Sequence, residues 1–224
     1  MKEETFKKCV YVVLFILILL FFTKDINLFG NHFYEEIEKV KNPDELTVLV
    51  NKNYQLNESY VPDDLEQISL QYATDDKFMR KEAKEQFEKL SEDAKQIGYQ
   101  IVAVSTYRNY DYQDKLYQYY VEIKGEEYAD LCSARPGHSE HQTGLAVDVM
   151  GSNQDYDEFA SSIEFSWMKE NAHQYGFILR YPEGKENITG FKYEPWHYRY
   201  VGIETAKIIY ENNWTLEEFH QYYM

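Results

Sequence analysis

Two fragments of the chain, Ser139-Glu140-His141-Gln142-Thr143-Gly144-Leu145-Ala146-Val147-Asp148 and Glu194-Pro195-Trp196-His197, hold the residue types of a hydrolytic metal centre. Two imidazoles and one carboxylate (His141, His197 and Asp148) make three protein ligands. They leave a fourth tetrahedral position for water, which separates catalytic from structural zinc. Glu194 stands three residues before His197, within reach of such a water. Zinc brings the pKa of that water toward about 7, and a neighbouring carboxylate that takes its proton makes attack on a carbonyl feasible at neutral pH. The same donors suit ferrous iron, so the residues alone point to a hydrolase and leave the metal open.

The elements around these residues must bring them together. Thr143–Met150 alternates, with Leu145, Val147 and Val149 on one side and Ala146, Asp148 and Met150 on the other, as a strand does. His141 has the wrong parity for the face of Asp148, so it must approach from the preceding loop, with Gly144 permitting the bend. Pro195 keeps Glu194 extended, which places Glu194 and His197 on a strand or turn rather than a helix. Ile101–Val104 reads as a buried strand leading into Arg108, a cation suited to a developing oxyanion or a substrate carboxylate. Ala83, Phe87, Leu90, Ala94 and Ile97 recur at helical spacing within Asp76–Ile97, and Gly98 supplies a stop. Further helices are expected over Asp111–Ile123 and Asp157–Tyr175, and strands over Leu46–Val50 and Phe177–Leu179. Asn51–Asp64 reads as loop, and Thr215 with Glu218 forms a capping box. The expectation is an α+β fold: a single domain with helices packed around a small, mainly antiparallel sheet that carries the zinc site.

The pattern S-x-H-x-x-G-x-A-x-D followed by E-x-W-H resembles the VanY-type D-alanyl-D-alanine carboxypeptidases. Ser105-Thr106-Tyr107-Arg108 with Gln113 is similar to that family's S-x-Y-R-S-x-x-x-Q, departing from it at Asn109. Pro136-Gly137, Gly176–Pro182 and His197–Gly202 resemble it too, so the likeness runs from about Leu46 to the C-terminus. It implies one zinc per chain on His141, Asp148 and His197, with Glu194 and Arg108 catalytic. It further implies that Gln113 and Ser139 hold the substrate's terminal carboxylate, while Trp196 walls the site. The implied activity is D,D-carboxypeptidase, removing the C-terminal D-alanine from peptidoglycan stem pentapeptides. The alternative within the family is an L,D-carboxypeptidase acting on the tetrapeptide. From other classes come a non-catalytic wall-binding zinc module, disfavoured by the presence of Glu194, and a thiol enzyme using Cys132. His138, three residues before His141, competes only weakly as a ligand.

A formal net charge of −16 argues against nucleic acid as a partner, since phosphate binding needs a basic face. Two cysteines, Cys9 and Cys132, cannot build a disulfide framework. Cys9–Phe22 is an apolar run behind Lys2, Lys7 and Lys8, with no small-residue cleavage site after it. Residues 1–24 are therefore expected to be a signal anchor, or alternatively a signal peptide, followed by a stalk over 25–45 and the catalytic domain over 46–224. Basic residues before the run put the N-terminus in the cytoplasm. The domain is then membrane-attached and extracytoplasmic, or secreted if the leader is cleaved, and is expected to be a monomer.

Overall fold

Four strands form the sheet on which the site is built: β5 (Val102–Ser105), β6 (Ala146–Met150), β7 (Phe177–Leu179) and β8 (His197–Tyr200). Their spatial order is β5-β6-β8-β7, and every neighbouring pair is antiparallel. The computed structural model describes residues 33–152 and 156–223, and the side chains of all of these except 156 and 157. The leader expected over 1–24 lies outside the described residues. Phe33–Met224 forms one compact unit of α+β architecture, as expected.

Alternation along β6 sorts its residues as the sequence required. Leu145, Val147 and Val149 enter the main core with Ala103, Phe177, Tyr198 and Tyr200, while Asp148 faces the opposite way. The helix α1 (Lys81–Gln96) covers that core face with Ala83, Phe87, Leu90 and Ala94. Spacings of four, three and four residues keep these side chains on one stripe. The helix begins at Lys81 rather than Asp76 because Phe78–Arg80 pairs as β4 with β3 (Leu65–Gln67). It stops at Gly98, whose φ of +89° suits glycine. On the outer strand, Ile178 joins a second core with Val201, Ala206, Ile209, Leu216 and Phe219 from α7 (Ile203–Asn212), α8 (Leu216–Tyr223) and their connections, which follow the short α6 (Glu186–Thr189). The capping box at α8 is reciprocal: Thr215 N–H donates to Glu218, and Glu218 N–H donates to the Thr215 hydroxyl.

Several expectations are corrected. The helix expected over 157–175 is broken into α4 (Tyr156–Phe159), α5 (Ile163–Asn171) and a tight turn over Ala172–Tyr175. Serine side chains cause the first break: Ser161 and Ser162 bond back to the Glu158 and Phe159 carbonyls, and Ser162 caps Phe165 N–H. Among the described residues Leu46–Val50 pairs with no strand. Its Leu46 and Val48 carbonyls are taken instead by the Arg199 guanidinium, at 3.0 and 2.8 Å. Tyr54–Gln55, in the expected loop, is β2 and pairs with β1 (Glu38–Lys39). The described part of the 25–45 segment is thus fastened to the domain. There Tyr34 packs edge-on against His138 and under the Arg135 guanidinium, 4.2 Å from its centroid.

The ligand-bearing loop is a tight helical turn over Glu140–Thr143, ended by Gly144 at φ +69°. A Cβ at Gly144 would come within 2.8 Å of Leu65 Cδ2 and 3.1 Å of Arg80 Cγ. Left-handed backbone costs other residues about 1–2 kcal/mol before any clash. Gly144→Ala is therefore expected to lower stability by at least about that much in thermal melts, and an unchanged melting temperature would contradict this account of the bend.

Candidate active site

His141 reaches the site from the Glu140–Thr143 turn, which the sheet carries past the end of β5. Its Nδ1 donates to the Thr106 carbonyl at 2.6 Å, an acceptor only, so Nε2 is the nitrogen aimed into the cleft. There Nε2 lies 3.3 Å from Asp148 Oδ2 and, although buried, has no hydrogen-bond partner among the described residues. Asp148 and His197 are cross-strand partners in the β6–β8 register. Their side chains meet with Asp148 Oδ1 2.8 Å from His197 Nδ1. The His141, Asp148 and His197 donor atoms all fall within 4.8 Å of one another, and all three residues are buried. A buried, orphaned imidazole nitrogen converging with a second imidazole and a carboxylate fits a divalent metal such as zinc, and these are the groups that would hold it. A β-bulge between Ala103 and Ser105 turns Ser105 beside Asp148 at the edge of this cluster.

Charge is uneven across the cluster. Burial, reinforced by the Arg108 charge, pulls His141 down to about 4. Burial opposes protonation of His197 as well, but the Asp148 and Glu140 carboxylates push it up to about 9. Burial would raise Asp148, yet its contacts with the two histidines hold it well below the usual carboxylate range.

Glu194 stands on the turn before β8, with its N–H on the Tyr181 carbonyl and its own carbonyl accepting from His197 N–H at 3.2 Å. Pro195 lies inside this turn, so Glu194 and His197 are borne on a turn and a strand rather than on a helix, as expected. The Glu194 Oε2 atom is 3.9 Å from His197 Nδ1. Burial, aided by Asp148 and opposed by His197 and Arg108, pushes its carboxyl up to about 7. A carboxyl poised near neutrality can both take and return a proton.

These groups open into a cleft of about 360 Å³ whose walls include Arg108, Ser139, Trp196, Tyr112 and Tyr120. Arg108 is fixed by its backbone, whose N–H donates to the His141 carbonyl. Asn109, the departure from the serine pattern, caps α2 (Tyr110–Lys124) by accepting from Tyr112 N–H, so the exchange keeps the capping function. Gln113 does not stand among the lining side chains. It is buried behind them, and its amide nitrogen donates to the Ser133 hydroxyl and the Ala134 carbonyl, which do line the cleft. Cys132, at the end of α3 (Glu126–Cys132), also lines the cleft. Burial pushes its thiol up, which disfavours the thiolate that a thiol enzyme needs. His138 stands outside the donor cluster, and its Nδ1 donates to the Asn51 carbonyl.

One contributor escaped the sequence reading. Glu140, between Ser139 and His141, has a wholly buried side chain and accepts at Oε1 from Arg180 Nε and Arg199 Nη1, both at 2.7 Å. Arg180 turns its other two nitrogens to Glu217, at 2.6 and 2.8 Å. Burial alone would raise Glu140, but the two guanidinium groups outweigh it and hold the carboxyl far below its ordinary range. The signal available in the sequence was an acid next to a ligand together with two arginines, Arg180 just after the apolar β7 and Arg199 between two tyrosines of β8.

Comparison with known proteins agrees with this geometry. The VanY family profile, described as D-alanyl-D-alanine carboxypeptidase, matches residues 76–203. The bifunctional D-Ala-D-Ala dipeptidase and carboxypeptidase VanXYC of Enterococcus gallinarum is 38% identical over 179 residues, spanning 78% of this chain and 93% of its own. The solved LdcB LD-carboxypeptidase is 42% identical with a TM-score of 0.78, over 83% of this chain and 90% of that one. A VanY D,D-pentapeptidase from the VanB-type resistance cassette, solved in complex with Zn(II), is 33% identical with a TM-score of 0.67, covering 77% and 97%. With the site geometry and these likenesses in agreement, the chain belongs to the VanY family of D-alanyl-D-alanine carboxypeptidases and is a zinc-dependent peptidase.

Proposed function

We propose that this chain removes the C-terminal D-alanine from peptidoglycan stem pentapeptides, with one zinc held by His141, Asp148 and His197. The observation that carries the reading is the convergence of Glu194 on the donor cluster, 3.9 Å from His197 Nδ1, inside a cleft that also presents Arg108. Zinc in that position would supply Lewis acidity, making water more acidic and polarising the scissile carbonyl. Glu194 takes the proton of the attacking water and returns it to the leaving amine as the peptide bond breaks. Arg108 offers its guanidinium to the developing oxyanion. Ser139 receives the substrate's terminal carboxylate. Gln113 shapes the same subsite through the Ser133–Ala134 wall that it holds, and Trp196 walls the cleft.

The likeness to LdcB favours a second reading, L,D-carboxypeptidase action on the tetrapeptide. Purified protein incubated with pentapeptide and tetrapeptide stems, with products identified by mass, separates the two. Loss of D-alanine from the pentapeptide alone supports the first reading, and cleavage of the tetrapeptide supports the second. No cleavage of either, with zinc bound, would return the protein to the class of wall-binding modules. We also propose that residues 1–24 anchor a monomeric, extracytoplasmic enzyme in the cell membrane. Protease added outside intact cells should digest it, and a mature protein beginning near Asn27 or Asn31 would instead indicate a secreted form.

A further inference from the structure

His197 lies between two carboxylates, and only one of them belongs to the donor cluster. Its Nδ1 faces Asp148 at 2.8 Å, whereas its Nε2 faces Glu140 Oε2 at 3.5 Å. Among the described residues neither His197 Nε2 nor Glu140 Oε2 has a hydrogen-bond partner, although both atoms are buried. Glu140 cannot swing away to find one. Its other oxygen is pinned by Arg180 and Arg199, which are pinned in turn by Glu217 and by the Leu46 and Val48 carbonyls. His197 and Arg199 are two residues apart on β8, so strand geometry delivers the ring and one arm of this clamp to the same face.

We infer that Glu140 is a positioning residue: held by the Arg180–Arg199 clamp, it accepts the Nε2–H of His197 and thereby presents Nδ1 to the metal. The inference rests on the metal site proposed above. A ring nitrogen bonded to a fixed carboxylate has its tautomer and its orientation set together, and both favour the metal on the other nitrogen. Glutamine at position 140 would reverse this. Both arginines are donors only, so they would claim the amide oxygen and turn the amide NH₂ toward His197. Facing a donor, Nε2 would have to give up its proton, and the proton would then reside on Nδ1, the nitrogen the metal needs.

The test compares wild type, Glu140→Gln and Glu217→Gln by zinc competition against a chromophoric chelator, with nitrogen-15 NMR of the His197 ring in the zinc-loaded wild type. Glu217→Gln alters the same clamp from the side away from His197. We expect Glu140→Gln to weaken zinc binding by about 10–100-fold and Glu217→Gln to leave it near wild type. In the loaded wild type the single ring proton should sit on Nε2. Zinc binding by Glu140→Gln as tight as wild type, or a ring proton on Nδ1, overturns the inference. If Glu140→Gln does not fold, the wild-type ring spectrum still decides. A wild type that takes up no zinc would sink the metal reading and the inference with it, whereas intact zinc binding that ignores Glu140 would sink the inference alone.

Discussion

Glu194→Ala is expected to keep its zinc and bind stem peptide near normally while hydrolysis falls by at least about 10²–10⁴-fold, the usual effect of losing a general base. The reasoning is geometric. Glu194 lies beside the donor cluster without belonging to it, so its loss leaves His141, Asp148 and His197 in place. His141→Ala and His197→Ala should behave in the opposite way, emptying the site of metal and abolishing activity together. Elemental analysis beside turnover separates the two outcomes. Hydrolysis by Glu194→Ala within a few-fold of wild type would show that another group is the base.

Arg180→Ala should cost about 3–5 kcal/mol, the range for breaking a buried ion pair from one side. Two acids, Glu140 and Glu217, and two guanidinium groups, Arg180 and Arg199, form a buried set with no net charge. Removing Arg180 leaves Glu217 with no cationic partner, only the Asn51 amide, and Glu140 with Arg199 as its one guanidinium, beside a void the size of an arginine. For a domain of this size each kcal/mol moves the melting temperature by about 2–4 °C, so a fall of roughly 6–20 °C is expected. A fall under 2 °C would mean that the cluster is easily resolvated and is not holding the turn against the sheet.

What could be seen in the sequence was what local geometry decides. The alternation around Asp148, the bend at Gly144 and the non-helical Glu194-Pro195 turn each follow from a few consecutive residues, and the structure places them as expected. The apolar stripe of α1 was legible for the same reason. What was lost depends on partners distant in the chain. Leu46–Val50 has the composition of a strand, but its carbonyls meet a guanidinium 151 or more residues away. Arg180 and Arg199 have no assignable role in the sequence until Glu140 and Glu217 are seen beside them. Gln113 matched a substrate-binding pattern, yet its side chain supports the cleft wall from behind.

The pairing of Asp148 with His197 across β6 and β8 has a consequence for how the protein matures. These ligands are 49 positions apart, and a one-residue slip of either strand would send its ligand to the core face. No part of the chain short of the registered sheet can therefore offer the metal more than one or two loose donors. Metal uptake then follows folding and draws on the folded population alone, so each tenfold excess of free zinc over its dissociation constant adds about 1.4 kcal/mol against unfolding. A zinc-scavenging environment would deplete the enzyme twice over, first by silencing it and then by exposing the emptied fold to proteolysis.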